Sequence, residues 1–154
     1  MKVNELIKEE LVLMHLNAST KVEVIKELAM ALKDEDRIND LDEFVKAVMD
    51  RESLSSTGVG YGIAIPHAKT KAVKVPSLVF GRHEKGIDYD SLDGEPSDLF
   101  FLIAAPLGGE NLHLQTLAKL SRKLMDETFR DSLRSASSIE SILKTIQKID
   151  KEEK

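Results

Sequence analysis

The chain has 154 residues, of which 42% are hydrophobic and 32% charged, so it is long enough for one domain with a substantial core and too apolar for a disordered protein. Its formal net charge of −5 argues against nucleic acid as the main partner, because phosphate binding requires a basic face. It has no cysteine, which excludes disulfides and thiolate metal sites, and its longest apolar run, residues 99–107, is too short to cross a bilayer.

The first elements are a strand and a helix. Residues 11–16 form a short apolar run, which predicts a strand. Thr20 and Glu23 have the spacing of a capping box, so we expect a helix that begins after Thr20 and ends near Lys33. The N-terminal residues carry mixed charges and no long apolar run follows them, so we expect no signal peptide.

A second helix and a loop lead to a second strand. Asp40 has the position of an N-cap, and the helix that follows it carries Arg51 close to its C-terminal end. Residues 53–62 are polar and rich in glycine, which predicts a loop. Residues 63–65 predict a short strand that ends at Pro66.

The centre of the chain predicts two longer strands and a helix. Residues 77–83 form one strand, Asp93 and Gly94 mark a turn, and residues 98–105 form a buried strand. A helix is expected to begin near Asn111. Its apolar stripe is formed by Leu114, Leu117, Ala118, Leu124 and Met125.

The last helix is preceded by serines. Ser137 and Glu140 have capping-box spacing, which predicts a helix over the apolar positions that follow. We expect residues 1–150 to form a single domain and residues 151–154 to form a charged tail or the start of a linker. Because helices and strands interleave, the predicted class is α/β, with a mixed β-sheet flanked by helices on both faces.

His67 is the strongest candidate for chemistry. It follows three alternating glycines, a short apolar run and Pro66, so we expect a strand to present its imidazole at the rim of the sheet, outside the core. Neutral imidazole is a good nucleophile near pH 7. The alternative is a structural histidine whose ring bonds to the backbone, and the local sequence leaves both open.

Two further residues could hold a phosphoryl group. His113 falls in the expected first turn of a helix, where free N–H groups and the helix dipole favour anions. Arg51 could clamp phosphoryl oxygens with its forked guanidinium. The alternatives are a half-buried histidine at a helix start and a solvated arginine at a helix end. Lys69 and Lys71 could attract an acidic partner, or simply be solvated.

A metal site is a further alternative. His67 and His113 could contribute two ligands, but the sequence offers no third ligand at a recognisable spacing. His15 and His83 have no glycine or proline around them that would present their rings, and we interpret both as incidental.

Several blocks of the chain resemble one known family. Residues 55–68, SSTGVGYGIAIPHA, resemble the phosphorylation-site signature of enzyme IIA domains of the fructose/mannitol class, in the bacterial phosphoenolpyruvate:sugar phosphotransferase system. The resemblance extends over nearly the whole chain and keeps the order of its blocks. The further matching blocks are residues 50–52, 91–94, 103–106 and 111–117.

The resemblance implies a phosphocarrier. His67 matches the histidine that accepts a phosphoryl group on Nε2 from the phosphohistidine of HPr and passes it to the active cysteine of an enzyme IIB domain. His113 and Arg51 match the family's second histidine and its arginine, which help to hold the phosphoryl group. The resemblance implies no cofactor and no metal, and its fold is a mixed sheet between helices.

The branch of the family is expected to be the fructose type. Nitrogen-related regulatory members commonly have a glycine after the histidine, whereas this chain has Ala68. Fused IIB and IIC domains on the same chain are compatible with the resemblance, and the expected location is the cytoplasm, with any tether to the membrane through a IIC domain and no direct insertion. The alternative is a regulatory domain whose phosphorylation controls binding to a partner protein.

Overall fold

The computed structural model of the protein describes residues 2–151, and the elements follow one another much as the sequence predicts. The strands within this range are β1 (Val12–Leu13), β2 (Gly58–Gly60), β3 (Ile63–Ala64), β4 (His67–Lys69), β5 (Ser77–Ile87) and β6 (Ser97–Ala105). The helices are α1 (Lys21–Asp34), α2 (Leu41–Glu52), α3 (Leu112–Leu124), α4 (Glu127–Ser135) and α5 (Ile139–Lys151). None of these helices is long and apolar enough to cross a membrane.

The strands form one mixed sheet, which confirms the predicted class. The order is β1-β5-β6-β3-β2, and β4 also pairs with β6. β5 and β6 are antiparallel, whereas β1 runs parallel to β5, and β3 and β4 run parallel to β6. Successive residues of a strand point to opposite faces, and every residue from Leu99 to Ala105 is fully buried, so both faces of β6 are covered.

Aromatic side chains fill the core on the central strands. Phe80 of β5 and Phe101 of β6 lie edge to face with their ring centroids 5.2 Å apart. Tyr89 and Phe100 make a second aromatic contact at 5.6 Å. All four side chains are fully buried, so the β5–β6 pair is closely packed and holds the short strands beside it in place.

The predicted caps of the first two helices are confirmed. The side chain of Thr20 accepts a hydrogen bond from the backbone N–H of Glu23 at 3.2 Å, and the side chain of Asp40 accepts one from Glu43 at 3.0 Å. The cap of α5 was predicted one residue too early, because Ser138, and not Ser137, accepts the backbone N–H of Ser141, at 3.1 Å.

Two strands differ from the prediction, one in the glycine-rich segment and one near the N-terminus. Residues 53–62 do not form a loop throughout, since β2 occupies three of them and pairs with β3. The side chains of β2 are mostly glycine hydrogens, so its sequence lacks the alternation that reveals a strand. Gly58 is required there because a Cβ atom would collide with the side chain and the backbone of Ser91. The first strand is also shorter than residues 11–16.

The C-terminal half contains a helix that the sequence did not predict. α4 was missed because its buried face includes Arg130 beside Phe129 and Leu133, and an arginine breaks an apolar pattern. The predicted stripe of α3 was partly wrong, since Leu114 and Met125 are 51% and 68% exposed. The buried positions of α3 are Thr116, Leu120 and Leu124. Lys151 ends α5, and residues 152–154 of the predicted tail lie outside the described range.

Candidate active site

His67 lies in a strand of its own. Pro66 has no N–H to donate, so the β-ladder is interrupted there, but its carbonyl accepts the N–H of Ile103 at 3.0 Å and the register is kept. The chain then resumes as β4, in which His67 lies opposite Ile103. The predicted strand before the histidine is present as β3, but His67 begins a further strand that the sequence did not predict. His67 is also more buried than expected, with only 6% of its surface exposed.

The backbone fixes the tautomer of the His67 ring. Nδ1 lies 2.9 Å from the carbonyl oxygen of Ile65. A carbonyl oxygen only accepts, so Nδ1 must carry the proton and donate it. In a neutral imidazole the lone pair is then on Nε2. The backbone contact that a structural histidine would make is present, and it is also the contact that prepares Nε2 to act as a nucleophile.

Three cationic or ionisable side chains share a shallow cavity with His67. The cavity has a volume of about 290 Å³ and its lining includes Arg51, Lys69 and His113. The rings of His67 and His113 have centroids 6.3 Å apart and planes tilted by 35°. The structure thus brings together Arg51 on α2, His67 on β4 and His113 in the first turn of α3, the three residues singled out from the sequence.

Each of the cavity cations has a fixed anchor. Nη1 of Arg51 donates to the carbonyl oxygen of Ser55 at 2.9 Å. Nζ of Lys69 donates to the carbonyl oxygen of Glu110 at 2.5 Å, in the turn before α3. Lys71, by contrast, is exposed outside the cavity, with its ammonium 3.8 Å from Glu43. For Lys69 the sequence left open attraction of an acidic partner or simple solvation, and a place in the cavity was not predicted. Its position two residues after His67 was the available signal.

Burial and positive charge keep both histidines of the cavity neutral. Burial lowers the pKa of His67 below 6.5, the charge of Arg51 adds to this, and the Ile65 hydrogen bond and the charge of Glu52 oppose it. Burial also lowers the pKa of His113, together with the neighbouring His67 and Lys69. Nε2 of His67 is therefore unprotonated near pH 7.

An NMR titration of the His67 ring is expected to have its midpoint below pH 6.5. The protonated ring is favoured in the unfolded chain and disfavoured in the folded one, so this group stabilises the fold above pH 6.5 and the contribution is lost as the pH falls through the lowered pKa. A His67 midpoint at or above pH 6.5 would contradict the assignment.

A buried carboxylate next to Arg51 acts on His67 through its charge, and the sequence did not single it out. Glu52 is 6% exposed and forms an ion pair with Lys21 at 2.9 Å. Its carboxylate also accepts the backbone N–H of Thr57 at 3.0 Å, the hydroxyl of Thr57, and the hydroxyl of Tyr89 at 3.0 Å. Burial raises the pKa of Tyr89, which therefore stays a donor. The position of Glu52 next to Arg51 was the available signal.

His83 has a structural role outside the cavity, and the side chains that a metal ion would need are a separate question. Nε2 of His83 donates to the carbonyl oxygen of Ala18 at 2.9 Å, and its Nδ1 accepts from the backbone, so both ring nitrogens serve the fold. Within residues 2–151 no group of three or more His, Cys, Asp or Glu side chains is arranged to hold a metal ion.

Comparisons with known proteins give the family. Residues 5–149 match the family described as phosphoenolpyruvate-dependent sugar phosphotransferase system, EIIA 2. The chain is 43% identical over 151 residues to the fructose-specific EIIABC component of Bacillus subtilis, which covers 98% of this chain and 24% of that protein. It thus spans about a quarter of the length of that relative. It is 41% identical over 133 residues to the fructose-specific EIIA component of Haloferax volcanii, covering 86% of each.

A solved structure agrees with the sequence relatives. The crystal structure of the nitrogen regulatory protein IIA-Ntr from Neisseria meningitidis superimposes with a TM-score of 0.87 at 28% identity, covering 94% of this chain and 98% of that one. Fold, motif blocks and relatives agree, and the chain therefore belongs to the EIIA 2 family of the phosphoenolpyruvate-dependent sugar phosphotransferase system, as a phosphotransferase domain of the EIIA type.

Proposed function

We propose that the chain is a phosphohistidine carrier in which His67 takes a phosphoryl group from phospho-HPr and passes it to the cysteine of an enzyme IIB domain. The observation that carries this proposal is the hydrogen bond from Nδ1 of His67 to Ile65, which leaves the lone pair on Nε2 at a cavity lined by cations. A nucleophile held in one tautomer beside anchored positive charge is suited to phosphoryl transfer.

The first transfer uses Nε2 as the nucleophile. Its lone pair attacks the phosphorus, the P–N bond to the donor histidine breaks, and that electron pair returns to the donor nitrogen. The proton on Nδ1 stays in its hydrogen bond with Ile65 throughout. Negative charge on the three phosphoryl oxygens is met by Arg51 and by the N–H groups that begin α3, next to His113.

The second transfer reverses the roles at His67. A thiolate of the IIB domain attacks the phosphorus and Nε2 leaves with the electron pair, so His67 returns to its starting state. For this step the site must stabilise the phosphoryl group only moderately, because the group has to leave Nε2 again. A cavity that is shallow and open to a partner suits this requirement, and the proposal uses no metal and no cofactor.

The pathway we propose is sugar uptake of the fructose type. Two relatives above 40% identity are named fructose-specific, and one of them is named as an EIIABC component. We propose that IIB and IIC domains act with this chain, fused to it or separate, and that it works in the cytoplasm with the IIC domain as its tether. An EIIA domain does not contact the sugar, so the sugar follows from the IIC partner.

A regulatory role is the second candidate, and the structural match to a nitrogen regulatory protein favours it. In that role phosphorylation of His67 would control binding to a partner protein, and no IIB domain would accept the phosphoryl group. Both candidates share the first transfer and differ in the second.

Intact-mass measurement tests the proposal in two steps. After incubation with phosphoenolpyruvate, enzyme I and HPr, we expect one acid-labile phosphoryl group on the chain. After removal of the donor and addition of a fructose-type IIB domain, we expect that group to leave the chain and to appear on IIB. Stable phosphorylation that IIB does not discharge would favour the regulatory candidate, and an unmodified chain would contradict both.

A further inference from the structure

A chain of hydrogen bonds connects the buried carboxylate of Glu52 to the ring of His67. Glu52 accepts the N–H of Thr57 at 3.0 Å, and the carbonyl of Thr57 accepts the N–H of Ile65, also at 3.0 Å. The carbonyl of Ile65 then accepts Nδ1–H of His67 at 2.9 Å. Because the N–H and the C=O of one residue belong to different peptide groups, these bonds act by position: Glu52 fixes Thr57, Thr57 fixes Ile65, and Ile65 fixes the ring of His67. The charge of Glu52 also acts on His67 through space and raises its pKa.

The carboxylate end of this chain is held on several sides. The side chain of Glu52 is 2% exposed, and a buried carboxylate is costly unless charge and hydrogen bonds compensate it. Lys21 supplies the charge from the first turn of α1, and its Nζ also lies 4.7 Å from the centre of the Tyr89 ring. Thr57 and Tyr89 supply the hydroxyl donors. The carboxylate therefore has one place and one set of partners.

We propose that Glu52 is a positioning residue for phosphoryl transfer, which acts through Thr57 and Ile65 to hold His67 as the Nδ1–H tautomer with Nε2 at the cavity. This inference rests on the proposed function of His67. Glu52 touches neither the phosphoryl group nor the His67 ring: the backbone bonds transmit its positioning effect, and its charge acts on the ring through space.

The same carboxylate also holds the segment that anchors Arg51. Glu52 and Arg51 are adjacent at the end of α2, and both bind the segment that follows, Glu52 at Thr57 and Arg51 at the carbonyl of Ser55. One helical turn thus fixes the nucleophile and a cation of the cavity relative to each other. Misplacement of reacting groups by about 1 Å costs up to about a hundredfold in rate.

Glu52→Gln tests the proposal, with Tyr89→Phe as the matched control. The first variant keeps the shape of the side chain and removes its charge, at the head of the hydrogen-bond chain. The second removes one hydrogen bond from the same carboxylate but leaves the carboxylate and its bonds to Thr57 in place. A merely structural role for Glu52 predicts that both variants lose stability and that neither changes the tautomer of the His67 ring.

The readout is the His67 ring in ¹⁵N NMR spectra of the unphosphorylated protein. In Glu52→Gln we expect a smaller fraction of the Nδ1–H tautomer and a lower titration midpoint, because the variant loses a charge that raises the pKa of His67. The charged and titratable groups around this ring are Arg51 and Glu52 on α2, Lys69 on β4 and His113 on α3. In Tyr89→Phe we expect both quantities to match the wild type.

Transfer kinetics give a second readout. At saturating phospho-HPr we expect Glu52→Gln to accept the phosphoryl group roughly tenfold to a hundredfold more slowly. The concentration of phospho-HPr that gives half of the maximal rate is expected to be unchanged. Tyr89→Phe is expected to react at the wild-type rate. A folded Glu52→Gln protein with the wild-type ring spectrum and the wild-type rate would overturn the proposal.

The wild-type protein provides a test that needs no variant. Protonation of the His67 ring changes its bond to the carbonyl of Ile65. If the chain of bonds couples the positions of these residues, the amide resonances of Ile65 and Thr57 shift with the midpoint of the ring. Amides that do not shift would overturn the proposal even if Glu52→Gln fails to fold. Since the ring spectra require no phosphorylation, this failure is distinct from a failure of the proposed function, which would appear as a wild-type chain that accepts no phosphoryl group.

Discussion

His67→Ala is expected to accept no phosphoryl group from phospho-HPr. The chain has no cysteine, and the two nitrogens of His83 are engaged with the backbone. His113 lacks the backbone bond that fixes a tautomer, since within residues 2–151 its buried Nδ1 has no hydrogen-bond partner. Loss of His67 therefore removes the nucleophile, and we expect no other side chain to replace it.

Intact mass after incubation with phosphoenolpyruvate, enzyme I and HPr measures this effect. His15→Ala is the matched control, because it removes an exposed histidine outside the cavity and should be modified like the wild type. Thermal unfolding of both variants checks that the fold is retained. Phosphorylation of a folded His67→Ala protein would show that the acceptor is another residue.

Arg51→Ala is expected to slow the transfer by roughly tenfold to a thousandfold, the range for loss of one donor that stabilises developing charge. One of its N–H groups is bound to Ser55, and a guanidinium has further donors that can meet phosphoryl oxygens in a forked geometry. Arg51→Lys keeps the charge and loses the fork, so its rate should lie between those of the wild type and the alanine variant.

Single-turnover kinetics at increasing HPr concentration separate binding from transfer. Lys46→Ala is the control, because it removes an exposed cation from the same helix outside the cavity and is expected to leave the rate unchanged. His113→Ala is expected to fall in the same range as Arg51→Ala. Wild-type rates in both cavity variants would remove these two residues from the site.

Local signals predicted most of the architecture. The caps at Thr20 and Asp40 act within one helical turn, so their spacing along the chain is enough to locate α1 and α2. The buried strand β6 was recognised for the same kind of reason, because a strand covered on both faces is a continuous apolar run. His67 was likewise identified from nearby residues, the three alternating glycines and Pro66 that precede it.

The sequence did not predict features that depend on distant partners. Arg130 is buried because its guanidinium donates to the carbonyl of Leu124 and stacks on Tyr61, and neither contact can be inferred from the pattern of α4. Glu52 has the same character, since two of its partners are Lys21 on α1 and Tyr89, the second residue after β5. Charged residues are mostly exposed, so their residue type alone predicts a solvated side chain, and burial requires such partners.

The nitrogen that carries the phosphoryl group tests the central claim most directly. We would phosphorylate ¹⁵N-labelled wild-type protein with phosphoenolpyruvate, enzyme I and HPr, and identify by ¹⁵N–³¹P coupling the nitrogen bonded to phosphorus. Because Nδ1 of His67 is committed to Ile65, we expect the coupling at Nε2 of His67, with Nδ1 still protonated. Coupling at Nδ1 of His67, or at either nitrogen of His113, would contradict the mechanism derived from this site.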